Sequence, residues 1–120
     1  MKSEKKGHHE NKVLVRGIGA CKGTAEGIVR IIRNVDDSSK MIEGNVLVTP
    51  FTTPLLTLIM AKASAIVTDS GGLTSHAAVI ARELGVPCVV GTGNSTKILS
   101  DGMKVKVDGG KGVVLRPDAR

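Results

Sequence analysis

Aromatic side chains are nearly missing from this 120-residue chain, which holds one phenylalanine, Phe51, and neither tryptophan nor tyrosine. Stacking of bases on aromatic rings, a common way to grip single-stranded nucleic acid, is therefore closed to it. A core must instead be assembled from Val, Ile, Leu, Ala and Met. Cysteine is scarce too. Cys21 and Cys88 lack C-x-x-C spacing, and with no secretion signal they are expected to be reduced thiols in a cytoplasm. No apolar run approaches the ~18 residues of a membrane span, the longest being broken by Lys62. A nucleotide-binding P-loop and a carboxylate cluster suited to Mg²⁺ are also missing.

What is present reads as one folded unit. The length predicts a single domain, large enough to bury a core and short for an autonomous enzyme. A hydrophobic content of 41% with 23% charged residues is ordinary for a globular protein. The net charge of +6 is partly local, since Lys2, Lys5, Lys6 and Lys12 fall in the first dozen residues. No nucleic-acid motif accompanies it, so neither nucleic acid nor membrane is expected as a partner; a basic surface equally suits phosphorylated ligands or an acidic protein. Residues 1–12 are expected to be a disordered basic tail, 13–116 the folded domain, and 117–120 a C-terminal tail. His8 and His9 stand in that first tail without further ligands, and no metal site is expected.

Short β-branched runs punctuated by glycine and proline predict strands at 13–15, 28–32, 45–49, 65–68, 88–90, 104–107 and 112–115, with 17–27 a glycine-punctuated loop. Thr53-Pro54 reads as the N-cap and first residue of a helix through about Lys62, with Leu55, Leu58, Ile59 and Lys62 on one face. A short helical turn is expected near 95–99. Strands alternating with helices between β-rich ends suggest a compact α/β domain of β/β/α sandwich type with a mixed sheet.

The most informative stretch is Gly71-Gly72-Leu73-Thr74-Ser75-His76-Ala77-Ala78-Val79-Ile80-Ala81-Arg82. Ala77, Ile80, Ala81 and Leu84 recur at helical spacing, and Gly85 before Val86-Pro87 is a stop signal. Thr74 or Ser75 is a suitable N-cap. His76 then falls in the first turn, where free N–H groups and the helix dipole favour an anion and a neutral imidazole. Gly71 and Gly72 leave backbone amides open to phosphate oxygens. His76 therefore reads as a phosphate-carrying nucleophile, although a histidine at a helix start also serves as a solvated or capping residue. Asp69 is a candidate to orient the imidazole, or simply a turn former. Thr49, Thr52, Thr53 and the run Gly91-Thr92-Gly93-Asn94 follow predicted strands, so their loops are expected at the same end of the sheet. Arg82 is a candidate for a phosphate or for a partner's carboxylate, but it projects about 120° away from His76 around the helix.

The segment G-G-L-T-S-H-A-A-V-I-A-R, continued by E-L-G-V-P-C-V-V-G-T-G-N-S-T, resembles the phosphohistidine, or swivelling mobile, domain of the enzymes that use phosphoenolpyruvate. That group includes phosphoenolpyruvate synthase, pyruvate phosphate dikinase and enzyme I. R-G-I-G-A-C-K-G-T-A-E-G resembles the opening of the domain, G-N-V-L-V-T-P-F-T-T-P its middle, and D-G-M-K-V-K-V-D-G-G-K-G-V-V its end, so the likeness spans about residues 13 to 116. One departure is Cys21-Lys22-Gly23, where the family commonly has Ser-Pro-Gly.

The resemblance implies a phosphohistidine at a helix N-terminus. It assigns phosphoryl transfer to His76 and a regulatory phosphorylation site in some members to the position of Thr74, and matches Gly71, Gly72 and Arg82 to other signature positions; phosphate support is expected from Gly71, Gly72, Thr74 and Ser75. The expected role is a stand-alone phosphocarrier that is inactive alone and binds no cofactor itself. Mg²⁺ and ATP or phosphoenolpyruvate are expected at nucleotide-binding and phosphoenolpyruvate/pyruvate-binding partner subunits or domains. Met1 and the tail suggest a separate subunit over an excised fragment. A rival expectation is a non-catalytic module of the same fold that senses a phosphorylated ligand.

Overall fold

Strand β3 (Thr24–Ile31) belongs to two layers at once in the computed structural model, which describes residues 12–117. Its first part pairs antiparallel with β7 (Lys104–Asp108), from Thr24 opposite Asp108 to Ile28 opposite Lys104. Its last part pairs parallel with β4 (Val46–Thr49), from Val29 opposite Val46 to Ile31 opposite Val48. Beyond β4 the parallel run continues through β5 (Ala65–Thr68) and β6 (Cys88–Val90), and β2 (Ile18–Cys21) closes that edge antiparallel to β6. On the other side β8 (Val113–Leu115) pairs with β7, and β1 (Val13–Arg16) with β8. The 8-stranded order is β1-β8-β7-β3-β4-β5-β6-β2.

Parallel strands buried on both faces read as unbroken apolar runs, and their side chains feed two cores. Leu47, Ile66, Cys88 and Val90 point to the helix side, where they meet Leu56, Ile59, Met60, Ala77, Ala78 and Ala81. Val46, Val48, Ala65, Val67 and Val89 point the other way, onto Val105, Val107 and Val114 of the antiparallel layer and onto Leu99. The result is the expected β/β/α sandwich, with three short α-helices among the described residues: α1 (Thr57–Met60), α2 (His76–Leu84) and α3 (Ser95–Ile98).

Three local expectations differ from the structure. The loop expected at 17–27 contains β2 and the start of β3. Glycine hid β2: a Cβ at Gly19 would lie 2.1 Å from the Gly109 carbonyl oxygen, so the residue there serves close backbone approach. The helix expected from Pro54 to Lys62 opens as a 3₁₀ turn over Pro54–Leu56 and is α-helical only at Thr57–Met60. It buries Leu56, Ile59, Met60 and Ala63, leaving Leu55 and Leu58 exposed. That segment is apolar nearly all round, so two stripes at helical spacing compete and periodicity alone cannot choose. On α2 the buried residues are Ala77, Ala78 and Ala81, with Ile80 half-buried and Leu84 exposed. Small side chains let the helix backbone lie close on β2 and β6.

Residues 1–11, including His8 and His9, and residues 118–120 lie outside the described residues, and with them most of both expected tails. Among the described residues no helix is long and apolar enough to cross a membrane. No group of three or more His, Cys, Asp or Glu side chains there is placed to hold a metal ion.

Candidate functional site

The parallel strands β4, β5 and β6 end at one edge of the sheet, the position where α/β folds assemble sites from loops. Backbone bonds stitch the loops together. Asp69 N donates to Thr49 O at 3.2 Å, Ser70 N to Pro50 O at 3.0 Å, Thr92 N to Thr68 O at 3.1 Å and Gly93 N to Asp69 O at 2.8 Å. Ser70 Oγ adds a second bond to Pro50 O at 3.1 Å.

From this stitched edge the chain turns into α2. Gly71 has φ +111°, and a Cβ on it would stand 2.9 Å from Ser75 Oγ, so no other residue fits without strain. Ser75 is the N-cap: its Oγ donates to Gly72 O at 2.7 Å and accepts from Ala78 N at 3.4 Å. The helix closes at Gly85, whose N–H bonds Ala81 O at 2.8 Å. His76 is thereby the first helical residue, half-buried, with the free N–H groups of the first turn around it.

The ring of His76 is held by a residue from the loop after β4. Thr52 Oγ1 lies 2.7 Å from His76 Nδ1, and Thr52 itself is only 8% exposed. Nε2 makes no hydrogen bond among the described residues. An imidazole pinned through one nitrogen with its other nitrogen free at a helix N-terminus is suited to nucleophilic attack on an electrophile carrying negative charge.

Asp69 does not orient the imidazole. Its carboxylate is consumed by α3: Oδ1 accepts from Ser95 Oγ at 2.6 Å and Thr96 N at 2.9 Å, and Oδ2 accepts from Thr96 Oγ1 at 2.6 Å. Burial alone would raise its pKa, but these bonds prevail and hold the carboxyl below the ordinary 3.8. Arg82 is engaged by the backbone of its own fold. Its Nη1 donates to Ala20 O at 3.2 Å and its Nη2 to Leu73 O at 2.8 Å, so the guanidinium straps β2 to the loop before His76. Thr53 occupies the N-cap position before Pro54 but its hydroxyl makes no capping bond; its carbonyl accepts from Leu56 N at 2.9 Å.

The remaining candidates lie in the loops at this edge. Gly72 is half-buried with open space where a side chain would be, Thr74 is exposed, and Gly93 secures the Asp69 carbonyl. Gly91 brings its loop against Gly71, since a Cβ on Gly91 would meet Gly71 O at 2.8 Å. Thr52 was legible only as one of several threonines around Pro50. The signal that singles it out is its burial immediately beside an exposed Phe51, visible in three dimensions alone.

Comparison with known proteins identifies the family. Residues 41–112 match the family described as PEP-utilising enzyme, mobile domain. A probable phosphoenolpyruvate synthase of Archaeoglobus fulgidus is 54% identical over 105 residues, 88% of this chain and 14% of that protein. The phosphoenolpyruvate synthase of Aeropyrum pernix is 56% identical over 106 residues, 88% of this chain and 13% of that protein. The solution structure of an Enzyme I (nEIt) protein superposes with a TM-score of 0.58 at 40% identity, covering 68% of this chain and 34% of the other. The chain thus spans about one-seventh of the length of the synthases it matches. With the match extending over most of the described fold, the chain belongs to the mobile-domain family of the phosphoenolpyruvate-utilising enzymes.

Proposed function

We propose that this chain is a phosphocarrier whose His76 accepts a phosphoryl group on Nε2 and passes it between the active sites of partner subunits or domains. The observation that carries this is the 2.7 Å contact between Thr52 Oγ1 and His76 Nδ1. With the ring neutral and its proton on Nδ1, His76 donates to Thr52 Oγ1 and keeps the Nε2 lone pair for phosphorus. In-line attack forms the N–P bond as the bond from phosphorus to the donor's oxygen breaks. The positive charge left on the ring is stabilised by the same Thr52 oxygen, and the phosphoryl oxygens face the first-turn amides of α2. A second acceptor then attacks phosphorus, and neutral His76 is restored.

The guanidinium of Arg82 donates to two backbone carbonyls, Ala20 O and Leu73 O. Charge neutralisation during transfer is assigned to the partner sites, where Mg²⁺ with ATP or phosphoenolpyruvate would act. Phe51, Leu55, Leu58 and Leu73 are exposed close in sequence to Thr52 and His76 and offer an apolar rim to dock against those sites. The proposed setting is the cytoplasm. Incubation with labelled ATP and labelled phosphoenolpyruvate in lysate of the source cells tests the proposal. Acid-labile, base-stable label on wild type and none on His76→Ala is the expected outcome. Absence of label from both donors would favour a phospho-ligand sensor, and label persisting on His76→Ala would exclude His76 as the acceptor.

A further inference from the structure

Cys21 and Cys88 stand opposite each other across the antiparallel pair of β2 and β6. Their register contains a bulge between Gly19 and Cys21, and its effect is specific. Consecutive residues of a regular strand face opposite ways, yet Ala20 and Cys21 both pack against the helix-side core that includes Cys88. The extra residue therefore turns the Cys21 side chain onto the face that carries Cys88. Directly opposed residues of an antiparallel pair have Cα atoms ~4.5–5.5 Å apart, inside the ~4.4–6.8 Å that a disulfide spans. Both cysteines are free in this structure, Cys21 half-buried and Cys88 fully covered.

We infer that Cys21 and Cys88 form a reversible cross-strand disulfide, a redox latch that joins β2 to β6 when the chain meets a low-molecular-weight disulfide. The accessible Cys21 thiolate attacks a sulfur of oxidised glutathione and releases one glutathione thiolate. The Cys88 sulfur then attacks the Cys21 sulfur of the mixed disulfide, loses its proton, and releases the second glutathione as thiol. Two protein thiols are oxidised and one glutathione disulfide is reduced. Burial pushes the Cys88 thiol up to about 12, with Cys21 adding to the rise and Arg82 opposing it, so Cys88 is the slower partner and Cys21 the point of entry. The latch also bears on the site. Cys21 adjoins Ala20, whose carbonyl anchors the Arg82 strap to Leu73, three residues before His76.

The test is peptide mapping of the wild-type chain after incubation with oxidised glutathione, acid quench, alkylation under denaturing conditions and trypsin digestion. A linked pair of the peptides 17–22 and 83–97 is expected, in monomeric protein that has lost two hydrogens and resists alkylation at both cysteines. Dithiothreitol should abolish the link, Cys21→Ser should never show it, and the oxidised chain should melt on the order of 10 °C higher than the reduced one. Full alkylation of both cysteines after prolonged exposure would overturn the inference. So would oxidation that stops at glutathione on Cys21 or at dimers joined through Cys21. None of these readouts depends on phosphorylation of His76.

Discussion

Replacing Asp69 separates a structural carboxylate from one that acts on the imidazole. Three donors converge on it, Ser95 Oγ and Thr96 N on one oxygen and Thr96 Oγ1 on the other, and Ser95 and Thr96 are 0% and 6% exposed. Hydrogen bonds to a charged acceptor contribute about 1.5–3 kcal/mol each, but bonds sharing one acceptor are not additive. Asp69→Ala deprives all three donors of their acceptor and is expected to cost about 2–4 kcal/mol, a large part of a domain's ~5–15 kcal/mol. Asp69→Asn preserves shape but turns an amide N–H₂ toward one of the donors, with an expected cost of about 1.5–3 kcal/mol. Urea unfolding followed by far-UV circular dichroism is the assay, since the chain has no tryptophan or tyrosine to report by fluorescence. The sign of the pH dependence follows from the lowered carboxyl pKa: its stabilisation is present above the unfolded value near 3.8 and is lost as pH falls through the lower folded value. A cost below about 1 kcal/mol for Asp69→Ala would refute the latch to α3. Lost labelling of His76 in a fully stable Asp69→Asn protein would return the carboxylate to the imidazole.

Thr52→Val removes the only hydrogen-bond partner of His76 Nδ1 among the described residues while keeping the side chain's shape. Initial rates of label incorporation should fall roughly tenfold, with Thr52→Ser recovering most of the loss, and an unchanged rate would show that Thr52 does not set the ring. The Cys88 thiol, pushed up to about 12 in the fold from 9.0, favours the folded state below pH 9 and loses that advantage as pH rises from 9 toward 12. The urea midpoint should therefore drop between pH 8 and pH 10 more steeply in the reduced wild type than in Cys88→Ala.

Much of this fold was legible because its central strands are buried on both sides. Apolar runs such as Val46-Leu47-Val48 and Ala65-Ile66-Val67 announce themselves whatever lies above and below them. The N-terminus of α2 was legible for a different reason: glycine, a hydroxyl cap and a polar first turn are local requirements met by adjacent residues. What escaped was non-local. β2 is made possible by backbone contacts from Gly109, far along the chain, and the choice between Leu55 and Leu56 as the buried face depends on what α1 lies against. The partner of the imidazole escaped for the same cause. A carboxylate seven residues before a histidine looks like its partner on paper, but the partner came from the loop after β4 and the carboxylate went to α3.

Strand β3 has one more consequence. Because a single continuous strand is stitched into both sheets, neither sheet can peel away without tearing a backbone the other depends on. Unfolding is therefore expected to be cooperative across both layers. In the phosphocarrier role proposed above, a body built this way would move as one piece, like cargo bolted to its pallet, with the geometry around His76 kept intact.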